Sequence, residues 1–142
     1  MKKMIAREKA EKLYKEVGAF ILSCVGTDGY PHTKAVVPGK NRNSLKEIYF
    51  CTNTSSIFAG EVKNNAKTSV YFFSKLIIWK GCLLKGNMEI VSDPEIKLRQ
   101  WDDKFKNAYP QKSHTDPDFC VLKFSPVSGR FYSWYNVEDF MV

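Results

Sequence analysis

The sequence predicts a mainly β fold, an antiparallel β-barrel with flanking helices. Runs rich in β-branched and aromatic residues recur along the chain, and residues typical of hairpin turns separate them. No strand–helix–strand unit repeats, so a parallel sheet is not predicted. The apolar fraction of 44% is enough to build a core, and 142 residues are the size of one domain, which we expect to span 1–142.

The chain opens with a predicted helix that is followed by a hairpin. Over 3–17, apolar residues recur at helical spacing among lysines and glutamates, and Gly18 ends the helix. Two β-rich runs, 19–26 and 31–38, lie on either side of Asp28-Gly29. Because Asp-Gly is a strong hairpin signal, these runs are predicted to be antiparallel neighbours.

The middle of the chain predicts a strand, a hydroxyl-rich turn and a short helix. After a polar loop at 39–44, the run 47–53 has the alternation and the aromatic content of a third strand. Thr54-Ser55-Ser56 supplies good helix N-caps, which predicts a short helix from Ile57 to Lys63. A fourth strand is predicted over 68–73.

A long strand and a second full helix are predicted next. The strand covers 77–92, and Gly81 and Gly86 allow the bulges that bend a strand around a small barrel. Asp93-Pro94 is a helix start signal, and the apolar residues that follow recur at helical spacing. This pattern predicts one continuous helix that ends at Pro110.

Two further strands are predicted at the C-terminal end. A polar loop at 111–117 leads into a strand over 119–124, a turn at 125–129 and an aromatic strand over 130–135. The prediction is therefore about seven strands with two to three helices.

The cysteines and histidines are placed too far apart for a metal site or a disulfide framework. Successive cysteines are separated by 27, 31 and 38 residues, and His32 and His114 stand alone. No metal site is predicted, and the cysteines are interpreted as small buried hydrophobic residues of a reducing compartment. Because no apolar run approaches the roughly 20 residues that span a bilayer, no membrane partner is predicted and the expected location is cytoplasmic.

The net charge of +7 is compatible with a polyanionic partner. The basic residues are scattered, however, and mostly have an acidic residue nearby, which is typical of a solvated surface. Nucleic-acid binding therefore stays an alternative, which a steep salt dependence of binding would reveal.

Recognisable catalytic motifs are absent from the sequence. Neither histidine lies in the context of a nucleophilic triad, and the paired carboxylates Asp102-Asp103 and Glu138-Asp139 are interpreted as solvated surface. Phosphate-binding loops of the G-x-G-x-x-G and G-x-x-x-x-G-K-[ST] types are missing as well. The sequence alone therefore leaves the catalytic residues unknown.

The end of the third strand is the most suggestive feature. There the run from Tyr49 to Ser56 passes from a buried strand into the N-terminus of a helix, where unpaired backbone N–H groups and hydroxyls favour an anion such as phosphate. The alternative is that Thr54, Ser55 and Ser56 only cap the helix.

Five segments, in their order and spacing, resemble the FMN-binding split barrels of the pyridoxamine 5′-phosphate oxidase-like family, and within it the small general stress protein branch. They lie within residues 17–135 and read AFILSCVGTDGYPHTKAVV, IYFCTNTSS, KNNAKTSVYFF, KGNMEIVSDPE and RFYSWY. The resemblance implies an antiparallel split barrel of Greek-key type that binds FMN as a homodimer, with the cofactor site at the subunit interface.

The resemblance also implies the residues that hold the cofactor. Members of the family use the second strand for the phosphate and the flavin ring, and the third strand and its turn for further ring and phosphate contacts. The matching positions of this chain are Lys34, Ala35, Val36, Cys51, Thr52, Asn53 and Ser56. The simpler alternative is that Lys34 is an exposed strand residue and that Cys51 belongs to the core.

The far wall of each site comes from the second subunit in this family. The candidates here are Trp79, Lys80, Tyr132 and Trp134, whose alternative role is the core of the dimer interface. An aromatic ring stacked on a flavin adds about 1 kcal/mol and excludes water.

One departure from the family pattern concerns the phosphate. Many members follow the turn serine with a basic pair, whereas this chain has Ile57-Phe58. A hydrogen bond from arginine to phosphate contributes about 1.5–3 kcal/mol. The loss of one or two such bonds is therefore expected to weaken FMN binding by about tenfold to several hundredfold, unless Lys34, Lys80 or Arg130 supplies the charge.

The implied function is an FMN-dependent oxidoreductase that uses a reduced nicotinamide and a small, unidentified substrate. Pyridoxamine phosphate oxidation itself is not the expected activity, since the residues after Trp134 do not include the Arg- and His-bearing strand that binds its phosphorylated substrate in that enzyme. Two alternatives stay open: a flavin-binding or flavin-storing protein without turnover, and a split barrel that binds another ligand, such as a deazaflavin or haem.

Overall fold

The computed structural model describes residues 3–40 and 42–142, so Met1, Lys2 and Asn41 of the predicted loop 39–44 lie outside the described residues. Seven strands, three α-helices and one 3-10 helix follow one another along the described chain. They are α1 (Ala6–Glu16), β1 (Phe20–Val25), β2 (Pro31–Pro38), β3 (Ile48–Asn53), α2 (Ile57–Asn64), β4 (Lys67–Ser74), β5 (Lys80–Val91), α3 (Pro94–Gln100), the 3-10 helix (Asp103–Ala108), β6 (Phe119–Ser133) and β7 (Asn136–Met141).

The strands form a ring in the order β3-β2-β1-β4-β5-β6, which β3 closes by pairing with β6. All pairings among the described residues are antiparallel, and β7 adds to the second half of β6. The weakest junction is β2–β3, where two residue pairs are made against six in β3–β6. The fold is thus a mainly β antiparallel barrel that is split at one seam, as predicted.

The first two strands form the predicted antiparallel hairpin. β1 and β2 pair from Phe20↔Val36 to Val25↔Pro31, and Gly29 in the connecting turn has φ 87°. Only glycine adopts this left-handed conformation without a steric cost. Alternation along β1 then directs every second side chain into the barrel, where Phe20 is fully buried.

Two hydrophobic clusters fill the structure. The larger one lies inside the barrel, where the rings of Tyr14, Phe20, Phe50 and Phe72 pack edge to face or tilted at centroid distances of 5.2–6.1 Å. The smaller one lies outside the barrel wall formed by β3 and β6, under α3 and the 3-10 helix, and is centred on Phe119. Because β3 and β6 carry apolar residues on both faces, a hydrophobic cluster forms on each side of them.

Helix α1 is capped at its start and held at its end by a residue from outside the helix. The Ile5 N–H donates to Glu8 Oε2 at 3.3 Å at its start. At its end, the Arg42 guanidinium donates to the carbonyl oxygens of Tyr14, at 3.2 Å, and Val17. A cation at a helix C-terminus binds carbonyl groups that have no partner within the helix.

The continuous helix predicted from Pro94 to Pro110 is wrong. Helix α3 ends at Gln100, and a separate 3-10 helix begins at Asp103. Asp102 starts the second piece by accepting the Lys104 N–H at 3.1 Å. At the break, the Trp101 ring packs against the Phe119 ring at a centroid distance of 5.0 Å. A straight helix on this path would not allow both this contact and the new N-cap at Asp102.

The end of the chain also differs from the prediction. The predicted turn at 125–129 is part of one 15-residue strand, β6, and the predicted strand 130–135 is its second half plus a turn at Trp134. Strand β5 starts at Lys80, three residues later than predicted, and β7 is a strand that the sequence pattern does not predict. Because β6 pairs with β5 along its whole length, a shift of register between Lys85 and Gly86 takes the place of a turn.

Candidate functional site

The seam between β2 and β3 leaves backbone groups without a partner strand. Gly39 N–H donates to the Tyr49 carbonyl at 2.6 Å, and Val37 pairs with Cys51. In an antiparallel ladder alternate residues direct both backbone groups to the same side. The N–H and C=O of Ala35 and Thr33 therefore point toward β3, but the ladder stops before it reaches them. This open edge of β2 can bind a ligand that offers both donors and acceptors.

The side chains beside the open edge differ in character. Lys34 is exposed and makes no ion pair with the residues that the structure describes. Val36 and Thr52 are buried on the barrel side, and the Thr52 carbonyl accepts the Tyr109 hydroxyl at 2.8 Å. A ligand in the seam would therefore lie beside the Lys34 cation and above a largely apolar floor formed by Val36 and Thr52.

Cys51 lies near the seam, but its side chain points away from it. The thiol belongs to the smaller hydrophobic cluster and lies 3.7 Å from the Gln100 carbonyl oxygen. Burial raises its pKa to about 12, so the sulfur stays a protonated thiol at neutral pH. Cys51 can therefore offer only its backbone to a ligand in the seam.

The turn from β3 to α2 is not the open cradle that the sequence suggests. The Asp118 carboxylate occupies it, accepting the Ser55 N–H at 2.9 Å and the Asn53 side-chain amide at 2.8 Å. These hydrogen bonds, that of Asn53 first, hold the pKa of Asp118 below its ordinary value, so the carboxylate is ionised. An anion of the chain itself thus lies where the sequence pattern favours a phosphate.

The remaining turn groups also bind within the chain. Thr54 donates its hydroxyl to the Pro117 carbonyl at 2.9 Å and its N–H to the Asp118 carbonyl at 2.8 Å. Ser56 caps α2, its Oγ accepting the Ala59 N–H at 3.2 Å. The capping alternative considered from the sequence therefore describes Ser56 as the structure has it.

The four candidates for the far wall lie together at the start of β5 and the end of β6. Trp79 is stacked on Phe73 at 5.2 Å with 12° between the ring planes, and its carbonyl accepts the Trp134 N–H at 3.1 Å. Trp134 is held at φ 53°, an unusual conformation for so large a side chain. Tyr132 and Lys80 are half-buried beside them.

One chain does not bring the far wall to the seam. Strands β1 and β4 lie between β2 and β5, so three strand spacings, about 14 Å along the sheet, separate the open edge from Trp79. One row of the outer face in between is mainly apolar. Paired residues place Ala35, Ile21, Tyr71 and Leu83 side by side across it.

Sequence reasoning missed a buried polar cluster under the first hairpin. Glu61 of α2 is buried, with its side chain 6% exposed, and contacts His32 Nδ1. It also accepts the Cys24 thiol at 3.0 Å, and His32 Nε2 lies 3.1 Å from Asp28 Oδ1. The one signal in the sequence is Glu61 itself, a charged residue on the apolar face of a predicted helix that has to be buried with a partner.

Two further findings concern the described residues. Within residues 3–40 and 42–142, no group of three or more histidine, cysteine or acidic residues is arranged to hold a metal ion. None of the helices in the same ranges is long and apolar enough to cross a bilayer.

Comparison with solved structures shows the same fold in several bacterial proteins. A protein related to general stress protein 26, from Clostridium acetobutylicum and of the pyridoxine phosphate oxidase family, is 28% identical (TM-score 0.82; 94% of this chain and 92% of that chain covered). General stress protein 26 from Bacillus anthracis is 20% identical (TM-score 0.79; 96% and 98%). A haem-binding protein from Mycobacterium smegmatis is 15% identical (TM-score 0.80; 99% and 60%).

Comparison of the sequence with curated proteins gives no match. Comparison with protein families matches residues 6–133 to the family model described as pyridoxamine 5′-phosphate oxidase. This match includes the barrel up to the end of β6, with both sides of the seam and the Asp118 turn. The chain belongs to the pyridoxamine 5′-phosphate oxidase family.

Proposed function

We propose that this protein is a flavoprotein that binds FMN in the β2–β3 seam and acts as an oxidoreductase, taking electrons from a reduced nicotinamide for a small substrate. The observation that carries the proposal is the open edge of β2, where the backbone groups of Ala35 and Thr33 face the seam without a partner strand. Membership of the family supports the choice of a flavin.

The open edge fits the ring of a flavin. The pyrimidine side of an isoalloxazine presents an N–H donor between carbonyl acceptors, and a strand edge offers the complementary alternation of C=O and N–H. Ala35 would bind this side of the ring, while Val36 and Thr52 form the floor and Lys34 provides a positive charge nearby. When bound, FMN supplies the electron-transfer chemistry.

We propose a second copy of the chain as the far wall. Trp79, Lys80, Tyr132 and Trp134 lie about 14 Å along the sheet from the seam of their own chain, so they can flank a ligand only in the seam of another. The exposed aromatic side chains of Phe73 and Trp79 and the apolar row of the outer face support such a homodimer.

The chain's own residues would orient the cofactor and exclude water. We assign no catalytic side chain. The cysteines are all free thiols, which supports a reducing compartment such as the cytoplasm.

The experiment is titration of the purified protein with FMN, followed by visible absorption and flavin fluorescence. Saturable binding with a shifted absorption band is expected, and steady consumption of a reduced nicotinamide by the loaded protein would indicate turnover. Binding without that consumption would favour a flavin-storing protein. If FMN does not bind but haem or a deazaflavin does, the flavin assignment is wrong and the alternative ligand takes its place.

A backbone substitution tests the open edge itself. Ala35→Pro removes the N–H that faces the seam but leaves the β1–β2 ladder intact, because that N–H has no partner in β1. We expect the variant to fold and to bind FMN about tenfold more weakly, as for the loss of one hydrogen bond. Ala35→Ser keeps the N–H and is the matched control.

A further inference from the structure

The turn between β3 and α2 directs its polar donors to the chain's own acceptors. The N–H groups of Thr54, Ser55 and Ser56 each bind a carbonyl or carboxylate oxygen, and so does the Asn53 side-chain amide. In the described part of the chain, the N–H groups that remain at the start of α2 are those of Ile57 and Phe58. A phosphate at this turn would have few donors left.

Asp118 is fixed in this position by its own neighbours. Its N–H donates to Asp116 Oδ1 at 2.8 Å, and the buried Asp116 carboxylate also accepts the Gln111 N–H at 2.8 Å. The Asp118 carboxylate is therefore held against Ser55 by a loop with its own anchor. These hydrogen bonds fix the position of the Asp118 carboxylate in the turn.

The two residues that immediately follow the turn point the same way. The residues that follow Ser56 are Ile57, which is 72% exposed, and Phe58, which is buried, so neither offers a cation. The Asp118 carboxylate competes with a dianionic phosphate for the same N–H donors, and its negative charge offsets the attraction that the start of α2 would otherwise exert on the phosphate.

We propose that Asp118 makes this site indifferent to the phosphate of a flavin, so that riboflavin binds as tightly as FMN. The inference rests on the proposed function, since it concerns the same seam. Recognition would then come from the ring at the open edge of β2, and the ribityl end would lie at a turn whose donors Asp118 already occupies. The ligand class is an isoalloxazine with or without a phosphate.

The test is a pair of fluorescence titrations, with FMN and with riboflavin, on the wild-type protein and on Asp118→Asn. We expect the two wild-type dissociation constants to agree within about threefold. The substituted amide can still accept the Ser55 N–H through its oxygen but carries no charge, so we expect FMN to bind about tenfold more tightly to this variant while riboflavin is unchanged. Asp103→Asn, on the 3-10 helix, is the control and should alter neither constant.

Several results would overturn this inference. Wild-type dissociation constants for FMN and riboflavin that differ by more than about threefold, in either direction, would contradict it, whether or not the variant folds. An Asp118→Asn protein that melts like the wild type and binds FMN no better would contradict it as well. If neither flavin binds, the proposed function itself is wrong, and this inference is wrong with it.

Discussion

His32 is held between two carboxylates, one exposed and one buried. Asp28 lies 3.1 Å from its Nε2, and Glu61, beneath the hairpin, contacts its Nδ1. The hydrogen bond to Asp28 and the charge of Glu61 raise the pKa of His32 above its ordinary 6.5, although burial works in the opposite direction. Cys24, the other partner of Glu61, is a thiol whose pKa burial raises to about 12, so it stays neutral.

This cluster predicts how stability depends on pH. Because the folded pKa of His32 is higher than the unfolded one, the protonated ring adds stability that is fully present below pH 6.5 and is lost as the pH rises through the folded value. Urea unfolding between about pH 5.5 and pH 8.5 should therefore show the wild type losing more stability than His32→Gln. His114→Gln, in the 111–117 loop, should follow the wild type; identical curves for all three proteins would contradict the prediction.

Individual residues show where sequence reasoning reaches its limit. The position of Ser56 before an apolar run predicts an N-cap, and Ser56 caps α2. Asp118 fills the same turn from 65 residues beyond Asn53 along the chain, and no spacing rule connects them. A local motif such as the Ser56 cap can be predicted from the sequence. A distant residue that folding brings into contact with that motif, such as Asp118, cannot.

The long pair β5–β6 is the element on which the barrel is built. It bends at Gly86, where a Cβ would overlap the Ser125 carbonyl and come within 2.6 Å of Pro126 Cα. The backbones of β5 and β6 lie close together there because the register of their pairing shifts between Lys85 and Gly86. A bulge of this kind increases local twist and lets a strand turn a corner of the barrel.

Two glycine substitutions test this account. Gly86→Ala should destabilise the protein by about 1–3 kcal/mol, because backbone atoms on β6 have to move to accept the methyl group. Gly60→Ala adds the same methyl group inside α2 where nothing lies within 4 Å, so it should stabilise by about 0.5–1 kcal/mol through helix propensity. Thermal unfolding measures both. Equal effects of the two substitutions would show that crowding at Gly86 is not the cause.

The broken helix shows why periodicity misleads the prediction for 94–109. Leu98, a member of the predicted apolar stripe, is 55% exposed, while the ring of Trp101 packs in the smaller cluster. The apolar residues at helical spacing are divided here between α3, which holds Leu98, the break, which holds Trp101, and the 3-10 helix, which holds Phe105. Packing against β6 determines the break, and periodicity alone does not report it.

The barrel as a whole is split at one seam, and its outer face carries large apolar side chains. Phe73 is 38% exposed and Trp79 40%, although they are stacked on each other. Exposed aromatic residues in a contiguous patch are typical of interfaces. The proposed dimer would cover this patch and complete both seams together.

The dimer predicts that one substitution lowers association and flavin binding together. Phe73→Lys places a charge in the proposed interface and should raise the dimer dissociation constant at least about tenfold, with weaker FMN binding as a consequence. Leu98→Lys introduces the same charge at an exposed leucine on α3, away from this face, and should do neither. Sedimentation velocity and flavin titration give the two readouts. A Phe73→Lys protein that stays dimeric would place the interface elsewhere.

Local patterns in the sequence were sufficient for the class of fold, the bounds of β2 at 31–38 and the first hairpin, since alternation and an Asp-Gly turn act over a few neighbouring residues. Contacts that form only on folding make β6 continuous, break the helix after Pro94 and place Asp118 in the β3–α2 turn. Those outcomes depend on strands that meet across long loops when the barrel closes. The free energy of such contacts depends on the fold as a whole, so no local stretch of the sequence predicts them.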